Sequence, residues 1–226
     1  MADDTGRSQD IAAVVFDMDG VLVDTEQVWD DVREQLARER GGRWHAGAQG
    51  DMMGMSSPEW SQYMRDVIGL PGSAAEINAE VVARMLERYR EALPLIDGAV
   101  DAVHRLATSF PLAVASSSNR PLIKTVLASA GIADLFTVTV SSEEVGHGKP
   151  EPDVYLEATR RLGFSPSRCA AIEDSANGIR SAHAAGLRVF AIPNAHYPPA
   201  ADVLALADVV LPSLADLPVA ALSGED

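Results

Sequence analysis

The sequence predicts an α/β fold in which a doubly wound parallel sheet forms the core and a helical block is inserted after the first strand. Short apolar runs alternate with helical patterns along most of the 226 residues, as expected for strands that helices cover on both faces. The six runs span residues 11–17, 111–116, 136–140, 169–172, 188–192 and 208–211. The alternation is interrupted only between residues 25 and 93, where helical patterns alone occur.

The interrupting segment, residues 25–93, has apolar residues at helical spacing in three groups. The groups are Val28, Trp29, Val32 and Leu36; Trp60, Tyr63, Met64 and Val67; and Ile77, Val81, Val82, Met85, Leu86, Tyr89 and Leu93. Ser57 is predicted to cap the second helix, because Pro58 suits the first helical position. So long a connection is unusual inside one compact domain. We therefore expect two domains: a core of residues 1–24 and 94–226, and a helical lobe of residues 25–93.

The composition limits the classes of function. A net charge of −15 argues against nucleic acid or an anionic membrane as a partner. No apolar stretch is long enough to span a bilayer, residues 1–10 do not resemble a secretion signal, and no protein partner is indicated. Cys169 is the single cysteine, which excludes intramolecular disulfides and favours a cytoplasmic location. An anionic substrate would need positive charge from a metal, a lysine and backbone N–H groups.

The first apolar run leads into two carboxylates at the carboxyl end of a predicted strand. Asp17 ends the run, Asp19 follows two residues later, and Gly20 permits a sharp turn of the backbone. Two carboxylates this close repel each other unless a cation or a shared proton is present. A calcium loop would need further acidic ligands at a spacing that is absent here. Asp24 is interpreted as a turn or helix-cap residue.

Two further predicted strands end in groups that could bind a phosphate. Ser116 and Ser117 precede a predicted helix, where hydroxyls and free N–H groups form an anion site, although serines there also serve simply as caps. Lys149 lies between a glycine and a proline and could be an ordinary solvated lysine. In so acidic a chain we favour a phosphate-binding and charge-balancing role for it. His147 is a weaker candidate for a supporting role beside Lys149.

The fourth predicted strand, residues 169–172, also ends in acids. Glu173 and Asp174 follow the apolar run directly, Ser175 could cap the next helix, and Gly178 would let the backbone approach closely. Carboxylates of this kind suit Mg²⁺, which accepts one or two of them together with waters and a substrate phosphate. Ligands bind beyond the carboxyl ends of strands in an open parallel sheet, so these acids are expected to lie near the first pair.

The four segments VVFDMDGVLVD, ASSSNR, HGKPEPD and AAIEDSANG together resemble those of the haloacid dehalogenase superfamily. This resemblance covers essentially the whole chain. It implies a Rossmann-like core and identifies the helical block with the α-helical cap of the β-phosphoglucomutase and phosphoglycolate phosphatase branch. The implied activity is phosphoryl transfer from a small phosphorylated metabolite. The presence of an acid at position 19 argues against dehalogenase chemistry.

The resemblance also implies a role for each motif residue. Asp17 would be the nucleophile that forms an aspartyl-phosphate, and Asp19 the general acid and base. Ser116, with Ser117 beside it, and Lys149 would bind the phosphoryl group. The ligands of Mg²⁺ would be Asp17, Asp19 through its backbone carbonyl, Asp174, and Glu173 either directly or through a water.

Departures from the mutase pattern favour a phosphatase that hydrolyses phosphate monoesters, with sugar phosphates as candidate substrates. Trp29 occupies the position of a histidine of the β-phosphoglucomutases, and the segment Gly54, Met55, Ser56 lacks the arginine that follows it in those enzymes. These four residues are the candidates for substrate selection. A phosphosugar mutase of the β-phosphoglucomutase type is the alternative.

Residues 25–93 contain no lysine, which disfavours phosphonatase chemistry. A signalling receiver module is an alternative from another class of protein. It would carry its phosphoacceptor aspartate on a middle strand, whereas Asp17 follows the first predicted strand.

Overall fold

A six-stranded parallel sheet forms the centre of the protein, as the computed structural model shows for residues 10–194, 196–217 and 222. The expectation about residues 1–10 lies outside the described residues except for residue 10. The strands are β1 (Ala13–Phe16), β2 (Leu112–Ser116), β3 (Phe136–Ser141), β4 (Cys169–Glu173), β5 (Arg188–Ala191) and β6 (Val209–Val210). Their order is β3-β2-β1-β4-β5-β6, the order of a Rossmann-like sheet. The predicted fold class is confirmed.

The first strand lies in the middle of the sheet and is buried on both faces. Val14 and Phe16 belong to one apolar cluster, and Ala13 and Val15 to the other, because successive side chains of a strand point to opposite faces. Two packed layers therefore require every position of β1 to be apolar. This double burial explains why the run is unbroken in the sequence.

Helices cover both faces of the sheet. Those of the core are α5 (Ala99–Ala107), α6 (Arg120–Ser129), α7 (Asp153–Leu162), α8 (Ala176–Ala184) and α9 (Ala201–Leu204). Five helices lie between β1 and β2, and the four that precede α5 are α1 (Glu26–Glu39), α2 (Ala48–Met52), α3 (Ser57–Asp66) and α4 (Ala74–Glu91). We call the segment of these four helices the helical insert. None of the described helices combines the length and apolarity needed to cross a bilayer.

The start of α3 differs by one residue from the sequence prediction. The N-cap is Ser56, whose ψ of 161° is extended, and Ser57 already belongs to the helix. Ser56 donates its backbone N–H to the Glu59 carboxylate at 2.7 Å, which completes a capping box. The prediction that Ser57 caps the helix was therefore wrong, because both serines precede Pro58 and only Ser56 has glutamate three residues later. Proline is tolerated at either of the first helical positions.

The helical insert leaves and rejoins the core at one place. Asp24 donates its backbone N–H to the carbonyl of Pro94 at 2.8 Å, and Val23 forms a bridge with Leu95. Asp24 caps no helix; the N-cap of α1 is Thr25. The exit and return of the insert are thus tied side by side, near the carboxyl end of β1. Its assignment as a separate domain, residues 25–93, stays a prediction.

Candidate active site

The carboxyl ends of three neighbouring strands converge on one group of polar side chains. Asp17 follows β1 directly, Ser116 ends β2 and Glu173 ends β4. Because β2, β1 and β4 are adjacent in the sheet, these residues share an edge. Lys149 reaches the same edge from the segment between β3 and α7. The structure thus brings the four predicted segments together.

Lys149 is buried and ion-paired with two carboxylates. Its Nζ lies 3.0 Å from Asp17 Oδ1 and 2.6 Å from Glu173 Oε1, and 3% of the residue is exposed. Burial alone would lower the pKa of Lys149, but the charges of Asp17 and Glu173 outweigh it and raise this pKa above its ordinary value. Lys149 therefore carries a permanent positive charge beside Asp17. Its burial excludes the interpretation as a solvated surface lysine.

Glu173 is held by donors on both of its oxygens. Oε1 accepts hydrogen bonds from Lys149 Nζ and from the Tyr155 hydroxyl, each at 2.6 Å. Oε2 accepts from the backbone N–H of Asp174 at 3.1 Å and from the hydroxyl of Ser175 at 3.3 Å. A Cβ at Gly178 would lie 2.0 Å from this carboxylate, so only glycine leaves room for it. Glu173 is fixed in place, and Gly178 provides the close backbone approach that the sequence predicts.

Asp174 keeps a buried oxygen free of hydrogen bonds. Its Oδ2 accepts from Asn194 Nδ2 at 3.1 Å, whereas Oδ1 has no hydrogen-bond partner among the described residues. Gly20, with φ of 81°, passes so close that a Cβ there would lie 1.9 Å from Asp174 Oδ2. An orphaned carboxylate oxygen in the interior costs free energy unless a proton or a cation satisfies it.

The carboxylates of Asp17, Glu173 and Asp174 fit a divalent cation. One oxygen from each lies within 4.8 Å of the others, and Lys149 alone cannot balance three negative charges. Burial, opposed by Lys149 and reinforced by neighbouring acids, raises the pKa of Asp17 to about 8. Burial and the nearby Glu173 and Asp17 raise the pKa of Asp174 well above its ordinary value. These shifts reflect burial together with a surplus of negative charge, and a hard cation such as Mg²⁺ would neutralise that charge.

Asp19 faces the cavity and is held from two sides. Its Oδ1 accepts from the Thr25 hydroxyl at 2.5 Å and from Trp29 Nε1 at 3.2 Å. Its Oδ2 accepts from the Ser118 hydroxyl at 2.7 Å, with Ser116 Oγ at 3.5 Å. The helical insert and the loop after β2 therefore fix this carboxylate together.

Of the serines after β2, Ser117 and Ser118 line the cavity. Ser116 is fully buried and does not line the cavity. Its Oγ accepts a hydrogen bond from the backbone N–H of Ser118 at 3.0 Å, which stabilises the loop. The Ser117 hydroxyl donates to the carbonyl of Gly54 in the helical insert at 3.0 Å. The sequence reasoning missed Ser118, although the motif contains three consecutive serines. The phosphate-binding roles of Ser116 and Ser117 stay predictions.

A small cavity of about 50 Å³ lies between this acidic cluster and the helical insert. Of the residues predicted for substrate selection, Trp29, Gly54 and Met55 line it, whereas Ser56 does not. The insert also contacts the core at Gly54, where an added Cβ would lie 2.8 Å from Asn177 Cβ. The insert therefore forms one wall of the cavity. His147 lies outside it, exposed and 3.2 Å from Asp153.

The insert contributes a second polar group that sequence reasoning missed, made of Glu26, Gln49 and Arg33. All three are buried and line the cavity. Burial, partly opposed by the neighbouring acids, lowers the pKa of Arg33 to about 10, so it stays cationic at neutral pH. Burial and Asp19, opposed by Arg33, raise the pKa of Glu26 to about 7. The missed signal was the spacing of Trp29 and Arg33, four residues apart on one helical face.

Fold and site together define an α/β enzyme with a buried carboxylate cluster at the carboxyl edge of its sheet. A family model described as haloacid dehalogenase-like hydrolase matches residues 11–186. The chain therefore belongs to the haloacid dehalogenase-like hydrolase family. The resemblance inferred from the four motifs is confirmed.

Individual relatives are similar over most of the chain. Hexitol phosphatase B of Escherichia coli strain K12 is 34% identical over 223 residues, which cover 95% of this chain and 97% of that protein. The bifunctional riboflavin kinase/FMN phosphatase of Arabidopsis thaliana is 31% identical over 208 residues; these cover 91% of this chain but only 54% of that protein. CbbY from Rhodobacter sphaeroides, in complex with xylulose-1,5-bisphosphate, has a TM-score of 0.79 at 28% identity, and the match covers 92% of this chain and 96% of CbbY.

Proposed function

We propose that this enzyme is an Mg²⁺-dependent phosphatase that hydrolyses phosphate monoesters of small metabolites, including sugar phosphates, through an aspartyl-phosphate at Asp17. The observation that carries this proposal is the position of Asp17. Its carboxylate lies 3.0 Å from the Lys149 cation, has an oxygen within 4.8 Å of oxygens of Glu173 and Asp174, and lines the cavity that the helical insert partly covers. A phosphatase named for hexitol phosphates is among the similar proteins, which supports the class of substrate.

The cluster can lower the activation barrier when the anionic carboxylate of Asp17 attacks the anionic phosphoryl group. Lys149 lies 3.0 Å from Asp17 Oδ1, where it can also contact the oxygens of a phosphoryl group on that carboxylate. Mg²⁺ held by Asp17, the Asp19 backbone carbonyl and Asp174 would supply further positive charge to the same oxygens. Because Glu173 already accepts five hydrogen bonds, one of them from Lys149, a water-mediated contact with the metal suits it better than direct ligation.

Asp19 would transfer the protons. Its carboxylate lines the cavity and is held there by Thr25 and Ser118. From there it can protonate the departing oxygen of the ester, and the resulting carboxylate can then take a proton from the water that attacks the aspartyl-phosphate. The fixed orientation favours this role, because proton transfer requires an acid within hydrogen-bond distance of the reacting oxygen.

The helical insert, residues 25–93, would act as a cap domain. It contributes Glu26, Trp29, Arg33, Gln49 and Met55 to the cavity wall, and a cavity of about 50 Å³ is too small for a sugar phosphate. The substrate would therefore enter when the cap opens, and closure would exclude bulk water during transfer. A cytoplasmic location remains part of the proposal.

The alternative activity, a phosphosugar mutase, needs the cap to hold a second phosphate. Trp29 replaces the expected histidine with an indole that donates to Asp19. Arg33 is a cation in the cap, but Gln49 and Glu26 already occupy its neighbourhood. Water is thus the favoured acceptor.

A phosphate-release screen over small phosphate monoesters, with and without Mg²⁺, tests the proposal. Wild-type protein should release phosphate only with the metal, and Asp17→Asn should reduce kcat by at least about 1,000-fold without lowering the melting temperature of the metal-free protein. Asp101→Asn, on the exposed face of α5, is the matched control and should leave kcat unchanged. Formation of an isomerised sugar phosphate without stoichiometric phosphate would instead identify a mutase. Full activity of Asp17→Asn would show that the nucleophile is misassigned.

A further inference from the structure

The wall of the cavity on the side of the helical insert carries a connected set of polar side chains that phosphoryl transfer does not use. Arg33 Nη1 donates to Gln49 Oε1 at 3.0 Å, and Gln49 Nε2 donates to Glu26 Oε2 at 3.0 Å. The exposed fractions of Glu26, Arg33 and Gln49 are 9%, 4% and 3%. Polar groups buried to this degree are costly unless they are satisfied, by one another or by a ligand.

Arg33 is fixed in position and still has an unused donor. Its guanidinium carbon lies 4.4 Å from the ring centroid of Trp29 and 4.8 Å from that of Trp60, so two indoles hold the plane by cation–π contacts. The Nε atom of Arg33 is buried and has no hydrogen-bond partner among the described residues. Arg33 also lines the cavity, so its rigid, desolvated guanidinium is well suited to bind a ligand oxygen there.

The charges on this wall indicate what kind of ligand it would accept. Arg33 contributes one positive charge, Glu26 contributes up to one negative charge, and Gln49 connects them. A second phosphate or a carboxylate attracted to Arg33 would also meet the Glu26 carboxylate. A hydroxyl group, by contrast, both donates and accepts. It can therefore accept from the arginine and donate to the carboxylate.

We propose that Glu26, Gln49 and Arg33 form a subsite that hydrogen-bonds the hydroxyl groups of an uncharged polyol or sugar, the leaving group of the phosphate ester. This inference rests on the proposed phosphatase function and makes its substrate class narrower: polyhydroxylated monophosphates are preferred over bisphosphates and phosphorylated carboxylic acids. The subsite lies next to the general acid, because Trp29 contacts the Arg33 guanidinium and donates to Asp19. A hydroxylated leaving group would thus be oriented beside the acid that protonates it.

The test compares kcat/KM for four probes with Mg²⁺: glucitol 6-phosphate, p-nitrophenyl phosphate, fructose 1,6-bisphosphate and 2-phosphoglycolate. Wild-type enzyme should prefer glucitol 6-phosphate over fructose 1,6-bisphosphate and 2-phosphoglycolate, which carry a second anionic group, by about 10-fold or more, the selectivity expected when one charge-assisted hydrogen bond is gained or lost. In Glu26→Gln the preference for glucitol 6-phosphate over p-nitrophenyl phosphate should fall by about 10-fold, mainly through KM. In the same variant the preference over fructose 1,6-bisphosphate should also fall, because Arg33 is no longer neutralised.

Two further variants complete the test. Arg33→Gln should also lose the preference for glucitol 6-phosphate over p-nitrophenyl phosphate. If loss of the buried arginine unfolds the protein, the nearly isosteric Glu26→Gln variant still tests the inference. Arg38→Gln is the matched control on the same helix, with a side chain that is 74% exposed, and should leave all four values unchanged. A wild-type enzyme that prefers a bisphosphate or 2-phosphoglycolate, or a folded Glu26→Gln variant with wild-type preferences, would overturn the inference. Failure of the wild type to hydrolyse any probe would refute the phosphatase proposal itself.

Discussion

Binding of Mg²⁺ should raise the melting temperature of the protein, and Asp174→Asn should remove most of this increase. Three buried carboxylates, those of Asp17, Glu173 and Asp174, share one edge of the sheet with a single cation, Lys149. The Oδ1 atom of Asp174 has no hydrogen-bond partner among the described residues. A metal that binds this cluster in the folded state, but not in the unfolded chain, stabilises the fold by mass action.

The size of the effect follows from the linkage between binding and folding. At a free Mg²⁺ concentration one hundred times its Kd, the free energy of unfolding rises by about 2.7 kcal/mol. For a chain of this size each kcal/mol raises the melting temperature by about 2–4 °C. The expected increase for the wild-type protein is therefore roughly 5–11 °C.

The effect should also depend on pH, with a sign fixed by Asp17. Its ordinary pKa of 3.8 is raised to about 8 in the folded protein, chiefly by burial. Between these values the folded state binds more protons than the unfolded chain, so without metal the stability falls as the pH rises from about 4 to about 8. Mg²⁺ competes with those protons. The metal-induced increase should therefore be larger at pH 8 than at pH 6.

Differential scanning fluorimetry on metal-stripped protein, at both pH values and with increasing MgCl₂, measures these quantities. Asp174→Asn should reduce the increase in melting temperature to about 2 °C or less, whereas Asp101→Asn, an exposed aspartate on α5, should retain the full increase. An equal increase in Asp174→Asn and wild type would show that Mg²⁺ binds elsewhere. A larger increase at pH 6 than at pH 8 would contradict the assigned proton linkage.

Two other substitutions test the packing and charge of the cluster. Gly178→Ala would place a methyl group 2.0 Å from the Glu173 carboxylate and should lower the melting temperature by about 2–12 °C, given a cost of about 1–3 kcal/mol for overpacking. Gly50→Ala, in a helical position with open space, is the control, and an equal change in both would refute the close approach. Lys149→Met should destabilise the protein by about 3–5 kcal/mol, as measured by urea unfolding, since it leaves buried carboxylates unpaired. A loss below about 1 kcal/mol would show that the ion pairs contribute little.

The fold and the acidic cluster could be predicted because their signals are local in the sequence. A central strand such as β1 must be apolar at every position when both faces are covered, and Asp17 follows that run directly. Strand ends in a parallel sheet share one edge, so the proximity of Asp17 to Glu173 also follows from the pattern. The turn at Gly20 and the close approach at Gly178 could be predicted for the same reason: glycine is required where the backbone turns sharply or passes a side chain.

The wall formed by the helical insert could not be predicted, because it depends on how separate helices pack. Arg33 lies beside Trp29 on α1, but its burial also requires Trp60, which comes from α3. A charged residue at the edge of an apolar helical face is usually exposed, so the sequence pattern favoured a solvated arginine. Ser118 was missed for a similar reason: which of three consecutive serines faces Asp19 depends on the backbone path of the loop.

The most direct test of the central claim is chemical trapping of the phosphorylated enzyme. The Asp19→Asn variant lacks both the acid for the first step and the base for the second. It is therefore mixed with Mg²⁺ and p-nitrophenyl phosphate, whose leaving group departs without protonation, and treated with borohydride, which reduces an aspartyl-phosphate to homoserine. Peptide mass spectrometry then locates the modified residue. Homoserine is expected at position 17 and at no other aspartate, with no modification when Asp17 is replaced by Asn. Release of phosphate by the wild type, with a trapped acyl-phosphate at another residue, would contradict the assignment of Asp17 as the nucleophile.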